Sequence, residues 1–135
     1  MTDKELILAA IAARENAYTP YSHFRVGAAL EGESGKVYGG CNIENAAYTP
    51  SNCAERTAFF RAVSEGERSF KRIAIVAGPE GGELIHTAPC GVCRQVMMEF
   101  CKPESFQILL ATSPEQYRTY TLLDLLPEGF GPDNL

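Results

Sequence analysis

Hydrophobic and polar positions alternate along this chain with two different periods, and each change of period marks an element. Leu6, Ile7, Ala10, Ile11 and Ala17 recur at helical spacing, so a first amphipathic helix is predicted to run to about Ala17 and to stop before Pro20. Thr2-Asp3-Lys4-Glu5 ahead of it has the form of a capping box. Phe24, Val26, Ala28 and Leu30 then alternate as a half-buried strand. Glu31-Gly32-Glu33-Ser34-Gly35 is a polar turn, and Lys36 to Glu44 returns as the second strand of a hairpin. Ser51-Asn52 offers a cap for a second helix from Ala54 to about Val63. Arg72-Ile73-Ala74-Ile75-Val76-Ala77 is nearly continuously apolar, as expected of a central strand covered on both faces. Past Gly81-Gly82, Thr87-Ala88-Pro89 introduces a third helix running to about Cys101, with proline near its first turn. Phe106 to Ala111 and Tyr117 to Leu122 read as strands separated by Thr112-Ser113-Pro114. A short helical turn over Leu123 to Leu126 and an irregular tail from Pro127 to Leu135 follow. The order is α-β-β-α-β-α-β-β without repeat or linker, and residues 1–135 are expected to form one domain.

Composition narrows the function classes. The chain is 45% hydrophobic and 21% charged, which suits a packed core rather than disorder. Its net charge is -5, and no basic run interrupts it. A nucleic-acid polymer needs clustered Lys and Arg, so a small uncharged ligand fits better. The longest apolar run, Leu6 to Ala13, is far short of the ~20 residues that span a bilayer, and the first residues lack the basic region of an export signal. A reducing, cytoplasmic location is therefore expected, with the 5 cysteines as thiols rather than disulfides.

Thiols in that setting raise the question of metal or catalysis. Cys90 and Cys93 lie three apart at a helix start, so both sulfurs share one face of the first turn. Alone, that spacing suits a redox pair or half of a structural zinc site equally well. A third thiol, Cys53, stands at the other helix start. Helix N-termini favour thiolate, and three protein ligands leave zinc a fourth position for water. Cys101 sits about 16 Å from Cys90 along one helix, and Cys41 points to the opposite face of its strand from Asn42, so both are read as small buried residues. Glu55 follows Cys53 by two positions. Residues two apart in a regular helix point nearly opposite ways, so both reach one site only if Cys53 stands at the loop-to-helix junction. Read alone, Glu55 is a first-turn carboxylate that favours the helix dipole; beside three thiols it is close enough to touch a zinc-bound water without coordinating the metal. Arg56, three residues after Cys53, lies over the same helix face, where it either compensates the thiolates or is a surface arginine. His23 and His86 read as ordinary loop or surface residues.

The pairing of Cys-x-Glu with Pro-Cys-x-x-Cys is the three-cysteine form of the zinc deaminase signature. The chain resembles the cytidine deaminase family, in its small homotetrameric branch with three cysteine ligands. The likeness runs from Tyr18 through Leu30, across Asn42-Ile43-Glu44-Asn45-Ala46-Ala47-Tyr48 and Cys53-Ala54-Glu55-Arg56, to Pro89-Cys90-Gly91-Val92-Cys93-Arg94-Gln95. It implies a three-layer α/β/α fold with a mixed five-stranded sheet. It implies one zinc per chain on Cys53, Cys90 and Cys93, and Glu55 as proton shuttle. Asn42 and Glu44 match a nucleoside-binding pair that could grip a ribose hydroxyl, Phe24 an aromatic that packs on the pyrimidine, and Ala54 a source of backbone contacts to the base. Tyr48 and Phe130 are similar to residues that reach a neighbouring subunit's site. The activity so implied is hydrolysis of cytidine and 2′-deoxycytidine to uridine and 2′-deoxyuridine plus ammonia by zinc-activated water, in pyrimidine salvage. A deaminase of another amine such as blasticidin S, a polynucleotide editor and a non-catalytic zinc-stabilised binding module remain as rivals.

Overall fold

The computed structural model describes residues 1–135. Helix α1 spans Asp3–Arg14, and Thr2 caps it, its Oγ1 accepting from Glu5 N at 3.1 Å. The helix stops short of Ala17 because its last turn tightens. Glu15, Asn16 and Ala17 each donate to the carbonyl three residues back, and Tyr18 N then crosses to Asn42 O at 3.0 Å. Strands β1 (Phe24–Gly32) and β2 (Val37–Cys41) form the expected hairpin, turning through Gly35 at φ 91°. β2 ends before the expected Glu44, since the last backbone pair is Gly27 with Cys41. Beyond it the Asn42 side chain continues the pairing: Oδ1 accepts from Val26 N and Nδ2 donates to Phe24 O, both at 2.9 Å.

Helix α2 (Ala54–Ser64) leads to β3 (Phe70–Pro79), and α3 (Gly91–Phe100) to β4 (Gln107–Ser113). β5 (Gln116–Thr121), the short α4 (Leu122–Leu125) and a 3-10 turn at Pro132–Asn134 complete the chain. The sheet order is β2-β1-β3-β4-β5, with β3 and β4 parallel and the other neighbours antiparallel. The apolar run of β3 is indeed central, and strand alternation sorts the core onto two faces. Ala29, Ala74, Val76, Leu109 and Ala111 pack under Leu6, Ile7 and Ala10 of α1. Ala28, Leu30, Ile73, Ile75, Ile108 and Leu110 face α2 and α3 on the other side. There Phe59 meets Phe70 edge-on at 5.1 Å and is flanked by Phe100 and Phe106. Each large side chain so buried contributes roughly 1.5–3 kcal/mol. The result is three layers, α1 on one side and the remaining helices on the other.

One glycine fixes how closely α2 approaches the sheet. A Cβ on Gly40 of β2 would fall 2.5 Å from Ala58 N and also onto Ala54 O, both main-chain atoms of α2. A main-chain neighbour cannot swing aside as a side-chain tip does. Gly40→Ala is expected to push the first turn of α2 off the sheet, costing about 1–3 kcal/mol in urea unfolding and lowering bound zinc. A variant with an unchanged unfolding midpoint and full zinc content would show that this close approach is not needed.

Candidate active site

Two helices begin at one place, each capped by a cysteine. Cys53 is the N-cap of α2 (φ -77°, ψ 155°) and Cys90 the N-cap of α3 (φ -67°, ψ 167°). Cys53 therefore stands outside the helix, which is the condition for sharing a site with Glu55. The expected caps Ser51 and Asn52 lie just upstream. Cys93, in the first turn of α3, is buried, and its amide donates to Cys90 Sγ at 3.5 Å. The three sulfurs lie within 4.8 Å of one another, with Cys53 and Cys90 Sγ 3.8 Å apart. Two sulfurs on a tetrahedral zinc at Zn–S distances of roughly 2.3 Å stand about 3.8 Å apart, so the donor set fits that metal in both softness and spacing. Cys41 and Cys101 lie outside the cluster and are half-buried rather than buried. Desolvation pushes both of their thiols up.

The electrostatics of the cluster favour anionic sulfur. Cys53 is held well below the ordinary thiol range by a hydrogen bond from Cys93, with further help from Arg56 and Cys90. Cys93 is pushed up as the donor to Cys53, and burial adds to this. Metals bind thiolate rather than thiol, so loading the cluster releases the protons its thiols hold. Arg56 Nη2 donates to Cys53 Sγ at 3.2 Å, so the compensating cation anticipated from helix spacing is in contact with the sulfurs.

Glu55 is 5% exposed and has no ion-pair partner. Glu31, equally buried at the opposite end of the sheet, is held by Arg72 Nε at 2.7 Å. The contrast matters, because a buried carboxylate without a cation stays neutral more readily. Burial pushes Glu55 up to about 7, and the negative charge of Cys53 adds to the rise while Arg56 opposes it.

Glu55 and the exposed side of the cluster open into a cavity of about 550 Å³, also lined by Asn42, Glu44 and Tyr48. That size suits a small organic ligand. Tyr48 is 76% exposed and sits at φ 62°, a left-handed conformation that bulky residues rarely adopt. Glu44 is held below the usual carboxylate range, chiefly by the Ser22 hydroxyl. The structure therefore brings together Cys53, Cys90, Cys93, Glu55, Arg56, Asn42, Glu44 and Tyr48. Phe24, Ala54 and Phe130 do not line the cavity. Phe24 is half-buried at the start of β1, Ala54 is fully buried, and Phe130 is exposed with its carbonyl accepting from Gln95 Nε2 at 2.8 Å. His23 faces Glu80 at 3.5 Å, and the His86 ring lies 6.5 Å from that of Tyr120. Asn52, Thr87, Ala88 and Val92 also line the cavity, and sequence reasoning missed them. Their only signal is adjacency in the chain to Cys53 or Cys90.

Relatives of known name share this arrangement of chain. The family model described as "Cytidine and deoxycytidylate deaminase zinc-binding region" matches residues 1–109. A cytidine deaminase of Sporosarcina psychrophila is 50% identical over 135 residues, covering 100% of this chain and 96% of the relative. The crystal structure of cytidine deaminase from Burkholderia pseudomallei is 49% identical with a TM-score of 0.87, covering 96% of this chain and 100% of that one. The enzyme of Mycobacterium tuberculosis is 37% identical with a TM-score of 0.80, over 97% of this chain and 98% of that one. Fold and sequence agree along nearly the whole length, and the chain belongs to the cytidine and deoxycytidylate deaminase zinc-binding family.

Proposed function

We propose that this protein hydrolyses the 4-amino group of cytidine and 2′-deoxycytidine, releasing ammonia and leaving uridine or 2′-deoxyuridine. The observation that carries this reading is the convergence of Cys53, Cys90 and Cys93 on one point, in the same cavity as a buried Glu55 poised at about 7. The three sulfurs would hold one zinc per chain. Zinc supplies a Lewis acid that makes hydroxide available near neutral pH. Glu55 takes a proton from the attacking water and delivers it to N3 of the pyrimidine as C4 is attacked; it then takes the proton of the new C4 hydroxyl and passes it to the amine, which leaves as ammonia while the C4 carbonyl forms. A carboxyl poised near the working pH suits both halves of that exchange. Asn42 and Glu44, which line the cavity, meet the sugar, while Phe24 and Ala54 stand behind its wall.

Arg56 sits on the sulfurs and is the one basic side chain of the cavity wall, which leaves no cation there for a phosphate. That supports a nucleoside rather than a nucleotide or a polymer. Residues 1–135 act as one deaminase domain in this reading. The exposure of Tyr48 and Phe130, 76% and 58%, supports a homotetramer in which they complete a neighbour's site. No helix is long and apolar enough to cross a membrane, and a cytoplasmic salvage role fits the reading.

Turnover of cytidine, 2′-deoxycytidine and blasticidin S, with a salt-dependent gel shift on single-stranded DNA, separates the rivals. Conversion confined to the two nucleosides and no shift is the expected outcome; preference for blasticidin S, or tight polymer binding, would overturn the substrate class. Arg56→Ala is a second check. Losing a positive charge beside the sulfurs disfavours every anion in the site, so the acid limb of the pH–rate profile should move to higher pH. An unchanged profile would remove Arg56 from charge compensation.

A further inference from the structure

Between α1 and β1 the chain rounds a corner at Tyr21–His23, with His23 in the left-handed region at φ 56°. Two cavity-lining side chains satisfy most of the main chain around that corner. Glu44 Oε1 accepts from Tyr21 N at 3.0 Å and Ser22 N at 3.1 Å, and Oε2 accepts from the Ser22 hydroxyl. The same hydroxyl accepts from Phe24 N at 3.1 Å. Asn42 takes the next groups along, Phe24 O and Val26 N, at 2.9 Å each. Ser22 is thus the joint of the assembly. It donates to the carboxylate that faces the cavity and accepts from the strand that walls it.

A carboxylate has about four lone-pair sites, and three donors from the corner occupy three of them. One acceptor direction is left, and Ser22 sets where it points by holding Oε2. Tyr21 N and Ser22 N both fall on Oε1, so without the hydroxyl Oε2 has no protein donor to orient it. We propose that Ser22 is a positioning residue for substrate binding, acting through Glu44 to aim one carboxylate lone pair at the ring hydroxyl that cytidine and 2′-deoxycytidine share. The proposal rests on the reading that Glu44 meets the sugar. Ser22 is itself outside the cavity lining and outside the sulfur cluster.

The test is Ser22→Ala and Ser22→Thr in the zinc-loaded enzyme, assayed on cytidine, 2′-deoxycytidine and 2′,3′-dideoxycytidine. Ser22→Ala should raise KM for the two substrates that carry a 3′-hydroxyl about three- to tenfold with kcat nearly unchanged, the worth of one hydrogen bond. The loss should vanish on dideoxycytidine, and Ser22→Thr, which keeps the hydroxyl, should restore KM. An equal loss on dideoxycytidine, an unaltered KM, or no rescue by threonine would overturn the proposal. Carboxyl-detected NMR of Glu44 adds a readout independent of turnover: its titration should move toward the ordinary glutamate range in Ser22→Ala and not in Ser22→Thr. An unmoved Glu44 titration would break the Ser22–Glu44 link itself. A wild-type enzyme inert on cytidine, with Glu44 still responding to Ser22→Ala, would instead overturn the substrate reading and with it the sugar-directed role of Ser22.

Discussion

Glu55→Gln is expected to bind a full complement of zinc, to unfold at a temperature no lower than the parent, and to lose at least about 10²–10⁴-fold in kcat. The size of the loss follows from what the side chain does. The amide is nearly isosteric and keeps the buried position, but it neither takes a proton from water nor gives one to N3. Stability should not suffer, because Glu55 is 5% exposed without an ion pair, and the fold already disfavours its charged form. Kinetics, metal analysis and a thermal melt on one preparation check all three parts. Turnover within a few-fold of the parent would remove Glu55 from proton transfer, and loss of zinc would make it a ligand instead.

Removing the metal should have a comparably large effect, extending to the fold. Cys53 and Cys90 cap two different helices, so one ion on their sulfurs ties α2 to α3 at the cavity floor. Chelation is expected to abolish turnover and to lower the melting temperature by about 10 °C or more, since a ligand bound only by the native state stabilises it by linkage. Cys93→Ala should do the same without chelator, because it removes a donor that is 1% exposed and leaves a hole beside Met97. Cys101→Ala, outside the cluster, should keep one zinc and near-normal turnover. An apoprotein that melts with the zinc form, or Cys101→Ala losing metal like Cys93→Ala, would contradict the assignment.

Local periodicity carried most of the fold. Leu6, Ile7 and Ala10 lie on the sheet-facing stripe of α1, and the run from Ile73 to Ala77 is the buried centre of the sheet. Boundaries were missed where a local pattern gives way to longer-range bonds. Apolar spacing extended α1 to Ala17, but the crossing of Tyr18 N to Asn42 O takes over there. The second strand read as running to Glu44, but beyond Cys41 the chain leaves β1, with Ile43 bridging Tyr18 and Asn52 instead. Strand order was not legible from the pattern, because the parallel pairing of Arg72–Ile75 with Gln107–Leu110 spans a helix and its loops; family resemblance implied only a mixed five-stranded sheet. At the site, helix geometry demanded that Cys53 stand at the junction, and it is the N-cap. The cavity wall at Thr87 and Ala88 and the corner held by Ser22 left no trace in spacing, since both depend on loops folding back.

The most direct test of the central claim is an ultraviolet assay of cytidine loss by the purified protein, with zinc quantified on the same sample. The structure predicts conversion to uridine with about one zinc per chain, a stoichiometry set by three sulfurs within 4.8 Å of one another. Stoichiometric zinc with no turnover of cytidine or 2′-deoxycytidine would contradict the cytidine-deaminating reading and leave the cluster to a deaminase of another amine or to a zinc-stabilised binding module.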